Sequence, residues 1–317
     1  MKIFHETDSE EIRKPTIITL GIFDGLHLGH QLIMKKVVER AKSSNIVPTV
    51  VTFFPHPRAV LHPETAPPLL HTFDQKVEGM EFLGIEQIVV IPFTKEFAVT
   101  SAEEFTKKVL VEKLQAKEVY LGTGFAFGHG REGNIDKLKE FSQKYGFLAD
   151  EAEEVQLHRH RISSTLIRQF IKEGRMSLAR RMLGRFYGVE GVVIEGRKLA
   201  SKLNFPTANL IPHNSVLPKD GVYVTLTLVD GIWRRSVTNV GVKPTVTGDN
   251  QRLVESHILN FNASLYNKTI RLRFLHRIRD ERKFPSIDLL REQIGRDCER
   301  AKRYFQNRLV KKLIEFE

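Results

Sequence analysis

Two histidines sit in a glycine-rich turn that could handle a phosphate: Gly21-Ile22-Phe23-Asp24-Gly25-Leu26-His27-Leu28-Gly29-His30. Glycine lets backbone approach a ligand with no Cβ in the way. A helix opening at this point would offer unpaired amides and the positive end of its dipole, both of which favour an anion. His27 and His30, on either side of Gly29, can donate hydrogen bonds to a phosphate that gains negative charge in a transition state. These two are candidate catalytic residues, and Gly21, Phe23, Asp24, Gly25 and Gly29 are candidate binding positions. The turn does not read as a zinc site.

A second cluster has complementary chemistry. Arg161-Ile162-Ser163-Ser164-Thr165-Leu166-Ile167-Arg168 places hydroxyls at a helix start and an arginine one turn later. Hydroxyls, N-terminal amides and a guanidinium fork suit a polyphosphate. The same residues also serve as an ordinary N-cap. Two aromatic, glycine-rich stretches lie between the clusters, Thr52-Phe53-Phe54-Pro55-His56-Pro57 and Leu121-Gly122-Thr123-Gly124-Phe125-Ala126-Phe127-Gly128. Phenylalanines at a strand end could stack on a flat ring, or could simply be core.

The elements that must position these residues can be read from apolar spacing. Thr16–Leu20, Pro48–Phe54, Gln87–Pro92 and Glu118–Leu121 read as buried strands. Leu32, Ile33, Val37 and Ala41 recur at helical spacing after the first strand, and Ser101 with Glu104 opens a helix to about Gln115. Strands alternating with helices predict a doubly wound parallel sheet, whose ligands bind beyond the carboxyl ends of the strands. Near Gly184 the pattern changes. Val222–Val229, Trp233–Val240, Leu253–Phe261 and Thr269–Phe274 are short alternating runs that predict a small antiparallel barrel. The expected modules are 1–184 and 185–317. One long C-terminal helix should follow, capped by Ser286, with the stripe Leu290, Ile294, Cys298, Ala301, Phe305, Leu309 and Leu313.

Composition narrows the function classes. The 317 residues are 41% hydrophobic and 27% charged, which excludes a wholly disordered chain. No apolar run reaches the ~20 residues of a spanning helix. The acidic start MKIFHETDSEEIRK does not read as an export signal, and the single Cys298 excludes an intramolecular disulfide framework, so a cytoplasmic setting is expected. The net charge is +11, and residues 185–317 carry 24 Lys and Arg against 14 Asp and Glu, or +10. That asymmetry suits an anionic small molecule, nucleic acid or a solvated surface. No nucleic-acid recognition motif accompanies it.

The motifs GIFDGLHLGH, FFPHP, GFAFGHGREGN, ISSTLIR, FPTANL, NVGVKPTV and ESHILNF together resemble the prokaryotic riboflavin kinase/FMN adenylyltransferase family, the two-module FAD synthetases. The resemblance implies an HxGH-type nucleotidyltransferase sheet followed by a kinase-type β-barrel with a C-terminal helix. It implies that AMP passes from Mg-ATP to FMN, giving FAD and pyrophosphate. His27, His30, Ser164, Thr165 and Arg168 match its catalytic positions, and Gly21, Phe23, Asp24, Gly25 and Gly29 its ATP-binding turn. Phe53, Phe54, Pro55, His56, Pro57, Gly122, Phe125, Phe127 and Arg131 match the flavin end. In the barrel, Thr207 and Asn209 match the holders of Mg²⁺ and phosphate, and Glu255 the base for the riboflavin hydroxyl.

Departures from the family pattern carry their own expectations. Gly124 stands where Asp or Asn is usual, Phe54 where Asp is usual, and Asn260 where Asp is usual. The glycine- and arginine-rich loop before Phe205 is altered at Leu199, Ala200, Ser201 and Asn204, though Gly196-Arg197 survives. Side chains there should obstruct a phosphate cradle. The resulting expectation is an FMN adenylyltransferase whose kinase module is impaired or inactive. The alternatives are the fully bifunctional enzyme, which would also use riboflavin, and a flavin-sensing nucleic-acid-binding protein.

Overall fold

The computed structural model describes residues 1–5, 14–157, 160–195, 205–244 and 250–315. The chain divides into two compact units, Met1–Ser163 and Ser164–Glu317. That division falls ahead of two helices that the sequence reading groups with the first module.

The first unit is built on a six-stranded sheet. Its strands are β1 (Lys2–Phe4), β2 (Thr16–Leu20), β3 (Val47–Phe54), β4 (Gln87–Pro92), β5 (Ala116–Leu121) and β6 (Leu148–Glu151), in the order β1-β4-β3-β2-β5-β6. Every pairing is parallel. The doubly wound sheet expected from the sequence is therefore present. The short edge strands β1 and β6 lie outside the expected set.

Strand residues alternate between two cores. Ile18, Leu20, Val51, Phe53 and Val119 pack on one face, and Ile17, Val50, Ile88 and Tyr120 on the other. Helix α1 (Leu28–Ser44) buries Ile33, Met34, Val37, Val38 and Ala41 on the second face. Burial on both faces explains why these strands read as continuous apolar runs. The helix opened by Ser101 runs as α over Ala102–Phe105, then widens to a π-helix over Thr106–Lys113.

The second unit holds a closed antiparallel barrel. Its strands are β7 (Tyr187–Ile194), β8 (Ala208–Pro212), β9 (Gly221–Val229), β10 (Ile232–Pro244), β11 (Asn250–Ile258) and β12 (Thr269–Arg279). The first two were not expected, yet their pairing closes the barrel. Thr225, Thr227, Ser236, Thr238 and Ser256 are fully buried and hydrogen-bond to one another at 2.6–3.0 Å, so the interior is partly polar and satisfied.

The C-terminal helix starts at the Ser286 cap and runs over Ile287–Gln306. Cys298, Ala301 and Phe305 bury against Phe186, Val222, Val224 and Leu275. The expected single helix does not continue through Leu313. Asn307 adopts extended backbone, and a short helix, Arg308–Glu315, follows. The turn shifts the stripe, so Leu309 is 71% exposed and Val310 is buried in its place.

Candidate functional site

In the first unit β2 lies between β3 and β5, so the winding direction reverses there. Crevices at such switch points bind ligands. Leu20 aligns with Val51 and Leu121, so the turns after β2 and β5 and the end of β3 emerge along one edge of the sheet. The sequence-predicted histidine turn and both aromatic stretches start at that edge.

The turn after β2 is tightly wound. Phe23 (φ 52°), Gly25 (φ 86°) and Leu26 (φ 41°) all adopt left-handed backbone. Two non-glycine residues in that region store strain, which clusters at functional sites. Gln31 Nε2 donates to the Leu26 carbonyl at 2.7 Å and helps hold the conformation.

His27 is the N-cap of α1, where its Nδ1 accepts the His30 amide at 3.4 Å. An accepting Nδ1 places the proton on Nε2, which makes that nitrogen the donor side of the ring. The His27 and His30 rings stack with centroids 3.6 Å apart, and Phe23 meets His30 edge-on at 5.2 Å. A Cβ at Gly29 would lie 3.2 Å from the His27 ring. Gly29 therefore makes room for the imidazole as well as easing the helix start.

Asp24 has a different local partner from the one its candidate role suggests. It is buried and accepts the amides of Leu70 at 2.9 Å and His71 at 3.3 Å, tying a distant loop to the turn.

Lys76 was missed by the sequence reading. It extends to Ile22 O and Thr52 Oγ1, both at 3.4 Å, and so brings a cation to the carboxyl ends of β2 and β3. Burial pulls its pKa down to about 8, against the opposing attraction of Asp24. A lysine directly after the Thr72–Gln75 capping box was the available signal.

The aromatic candidates separate into two groups. Phe53 is buried among Phe93, Phe97 and Phe105, and Phe127 is buried against Phe105. Their rings belong to the core. Phe54 is 53% exposed beside Phe73, and His56 caps the short helix Pro57–Leu61 through Nδ1 to the Arg58 amide at 3.0 Å. Pro55 and Pro57 flank that cap. Phe125 is half-buried, Arg131 is exposed, and Gly122 has open space above its Cα.

Gly124 has φ 71°, a conformation that Gly, Asn and Asp tolerate best. That shared tolerance accounts for glycine at a position where the family has Asp or Asn. Glu151 Oε1 accepts the Gly124 amide at 3.2 Å, and Arg161 donates to the Thr123 carbonyl. The neighbourhood therefore keeps polar groups without a side chain at 124.

Ser164, Thr165 and Arg168 stand in the first helix of the second unit, Ser164–Lys172. Ser164 and Arg168 are one turn apart and share a face.

The barrel site follows from strand register. Asn209 on β8 and Asn239 on β10 both align with Glu255 on β11, between them. The three side chains form a row across adjacent strands. Asn239 was not predicted. Its Nδ2 donates to Glu281 at 3.1 Å, and Gly241 leaves the space that Glu281 occupies. Pro206 O lies 2.8 Å from His257 Nδ1, which holds the segment before β8 against β11. A cavity of about 200 Å³ adjoins Thr207, Ala208, Ser256 and Tyr266. The altered loop, residues 196–204, lies outside the described residues.

Comparison with known proteins adds the following. Residues 9–166 match the FAD synthetase family and residues 183–305 the riboflavin kinase family. The chain is 36% identical to the bifunctional riboflavin kinase/FMN adenylyltransferase of Haemophilus influenzae, covering 92% of this chain and 94% of that one. The protein of the same name from Escherichia coli K12 is 32% identical, covering 94% and 95%. A solved structure described as a macrolide-efflux protein from Streptococcus pneumoniae superposes with a TM-score of 0.87 at 27% identity, over 95% of this chain and 98% of that one. No helix among the described residues is long and apolar enough to cross a membrane.

Proposed function

The chain belongs to the bifunctional riboflavin kinase/FMN adenylyltransferase family, and we propose that it carries both activities. In this reading the kinase module, assigned to 185–317, phosphorylates riboflavin to FMN. The adenylyltransferase module, assigned to 1–184, joins FMN to AMP from ATP. The observation that supports the reading most is that residues 9–166 and 183–305 of one chain match the FAD synthetase and riboflavin kinase families respectively.

In the adenylyl-transfer reaction, an FMN phosphate oxygen attacks the α-phosphorus of ATP in line. The bond to the bridging oxygen breaks and pyrophosphate leaves. Such a transfer needs mainly positioning and charge stabilisation. His27 would turn its Nε2–H toward the α-phosphate, with the N-terminus of α1 beneath it. The Lys76 ammonium adds positive charge at the same edge of the sheet. FMN arrives with its phosphate oxygen already ionised, so no strong base is required.

In the kinase reaction, Glu255 takes the proton of the riboflavin hydroxyl as that oxygen attacks the γ-phosphorus, and ADP leaves. Thr207 and Asn209 offer neutral oxygens of the kind Mg²⁺ accepts alongside phosphate. Mg²⁺, brought with ATP, would neutralise the triphosphate oxygens. Among the described residues no three His, Cys, Asp or Glu side chains converge on a dedicated cation site.

The expectation of an impaired kinase is less well supported than this reading. It rests on the loop at 196–204 and on Asn260, while the curated relatives bear both activities in their names. No observation favours the nucleic-acid alternative. A cytoplasmic setting fits the substrates.

One chromatographic flavin assay with Mg-ATP tests the proposal, with riboflavin in one tube and FMN in the other. Riboflavin is expected to give FMN and then FAD, and FMN to give FAD. Conversion of FMN alone would restore the impaired-kinase reading. Conversion of neither would overturn both.

A further inference from the structure

The basic excess of the C-terminal half has a concrete location. A cavity of about 470 Å³ opens beside the start of β10, lined by Trp233, Arg234, Arg235, Asn260, Lys302 and Gln306 among others. Its polar lining is entirely arginine, lysine and amide, with no carboxylate. Arg234 and Arg235 lie five and four positions along β10 from Asn239, the neighbour of Glu255. At roughly 3.3 Å per residue that places them about 13–17 Å along the strand from the kinase row. The cavity is a separate feature of the barrel.

Arg234 and Arg235 are held against aromatic rings. Arg234 lies 5.0 Å from the Phe261 ring, and Arg235 5.3 Å from that of Phe305. Arg273 covers the Trp233 indole at 4.2 Å. A guanidinium stacked on a ring keeps its in-plane N–H groups available as a fork. Neither Arg234 nor Arg235 has an acidic partner among the described residues. The Nε of Arg234 is also buried with no hydrogen-bond partner among them, a state that buried donors seldom keep in native proteins. Lys302 also lines the rim, where its ammonium is paired with Glu299 at 2.7 Å.

We propose that this cavity is a second anion site, which binds a diphosphate group through Arg234, Arg235 and Lys302. Two arginines without acidic partners among the described residues, with a lysine and two amides beside them, call for an anionic ligand, and the volume exceeds what orthophosphate fills. The diphosphate could come from inorganic pyrophosphate or from a nucleoside diphosphate, whose base would meet the Trp233 side.

Trp233 is the single tryptophan of the chain, so its fluorescence reports on this cavity. The intact protein is titrated with pyrophosphate, with ADP and with adenosine, exciting at the indole red edge. Saturable change with pyrophosphate and ADP, absent with adenosine, is expected. Pyrophosphate alone producing it identifies the inorganic source; ADP binding at least about tenfold tighter identifies the nucleotide.

R234Q/R235Q should weaken the response about tenfold or more, while both flavin conversions proceed at parental rates. Unchanged flavin conversion shows that the variant is folded and keeps this test apart from that of the proposed function. Lys302→Gln, at an exposed helix position, supplies a milder variant expected to weaken binding severalfold. No response at millimolar ligand, a response matched by sodium chloride at equal ionic strength, or one undiminished in the arginine variant would overturn the site.

Discussion

In the first unit His27 stands at a helix start, in a turn that leaves a strand end. In the barrel Glu255 stands inside a strand, flanked by Asn209 and Asn239 on its two neighbours. The proposed adenylyl-transfer site thus centres on a contiguous loop that presents amides, rings and a dipole end together. The proposed kinase site is assembled across three paired strands. A loop site can be lost through one bad backbone angle. A strand site depends on register, because a slip of one residue would turn Glu255 to the other face.

The largest expected effects separate the two sites cleanly. His27→Ala with His30→Ala should lower FMN-to-FAD turnover by about 10³-fold or more and leave riboflavin phosphorylation unchanged. Flavin chromatography on each half-reaction measures both. Equal loss of the two activities would mean that the histidines support the fold rather than adenylyl transfer.

The reverse result is expected for Glu255→Gln. Riboflavin phosphorylation should fall by roughly 10²-fold, with FMN adenylylation intact. The isosteric amide preserves the strand. A parental rate would remove Glu255 from its role as base and leave Glu281, bonded to Asn239, as the next carboxylate to test.

A smaller effect is expected at Gly29. Its added Cβ in Gly29→Ala would press on the His27 ring from 3.2 Å. The ring must shift by a few tenths of an ångström, and kcat for FAD formation should drop about tenfold. Because His27 is the only group displaced, the riboflavin rate should not change. An unaltered kcat would mean that the ring position is not critical.

These differences also explain what could be read from the sequence. The histidine turn was legible because glycines and a following helical stripe punctuate the chain locally. Phe53 and Phe127, expected at the flavin end, are buried in the core. Phe53 lies within β3 and its pleat turns it inward, while Phe127, in the loop after β5, packs on Phe105; neither direction can be read from local spacing. Asn239 opens the NVGVKPTV motif, but its place opposite Glu255 on another strand is not readable from local spacing. The closing strands β7 and β8 were likewise hidden, because each is stabilised by distant partners. The break at Asn307 was invisible to a period count, which tolerates Leu309 at the next helical position although it faces solvent.

The subtlest expected effect concerns Lys76, whose ammonium is half-buried where β2 and β3 end. Desolvation pulls its pKa from 10.5 to about 8, with Asp24 opposing the shift. Between those pH values the unfolded chain keeps a proton that the native chain has released. Stability therefore rises with pH across that window, and below about pH 8 the full cost of the buried charge is present. Lys76→Met should remove that cost and raise unfolding free energy by about 1–2 kcal/mol at pH 7. The gap should close as pH approaches 10.5, which urea midpoints at pH 7 and pH 10 would detect. A gap independent of pH would assign the change to packing instead. If the same variant gains stability while FAD formation slows, the first unit keeps a destabilising cation for its reaction. In the barrel, by contrast, the buried hydroxyls of Thr225, Thr227, Ser236 and Ser256 satisfy one another.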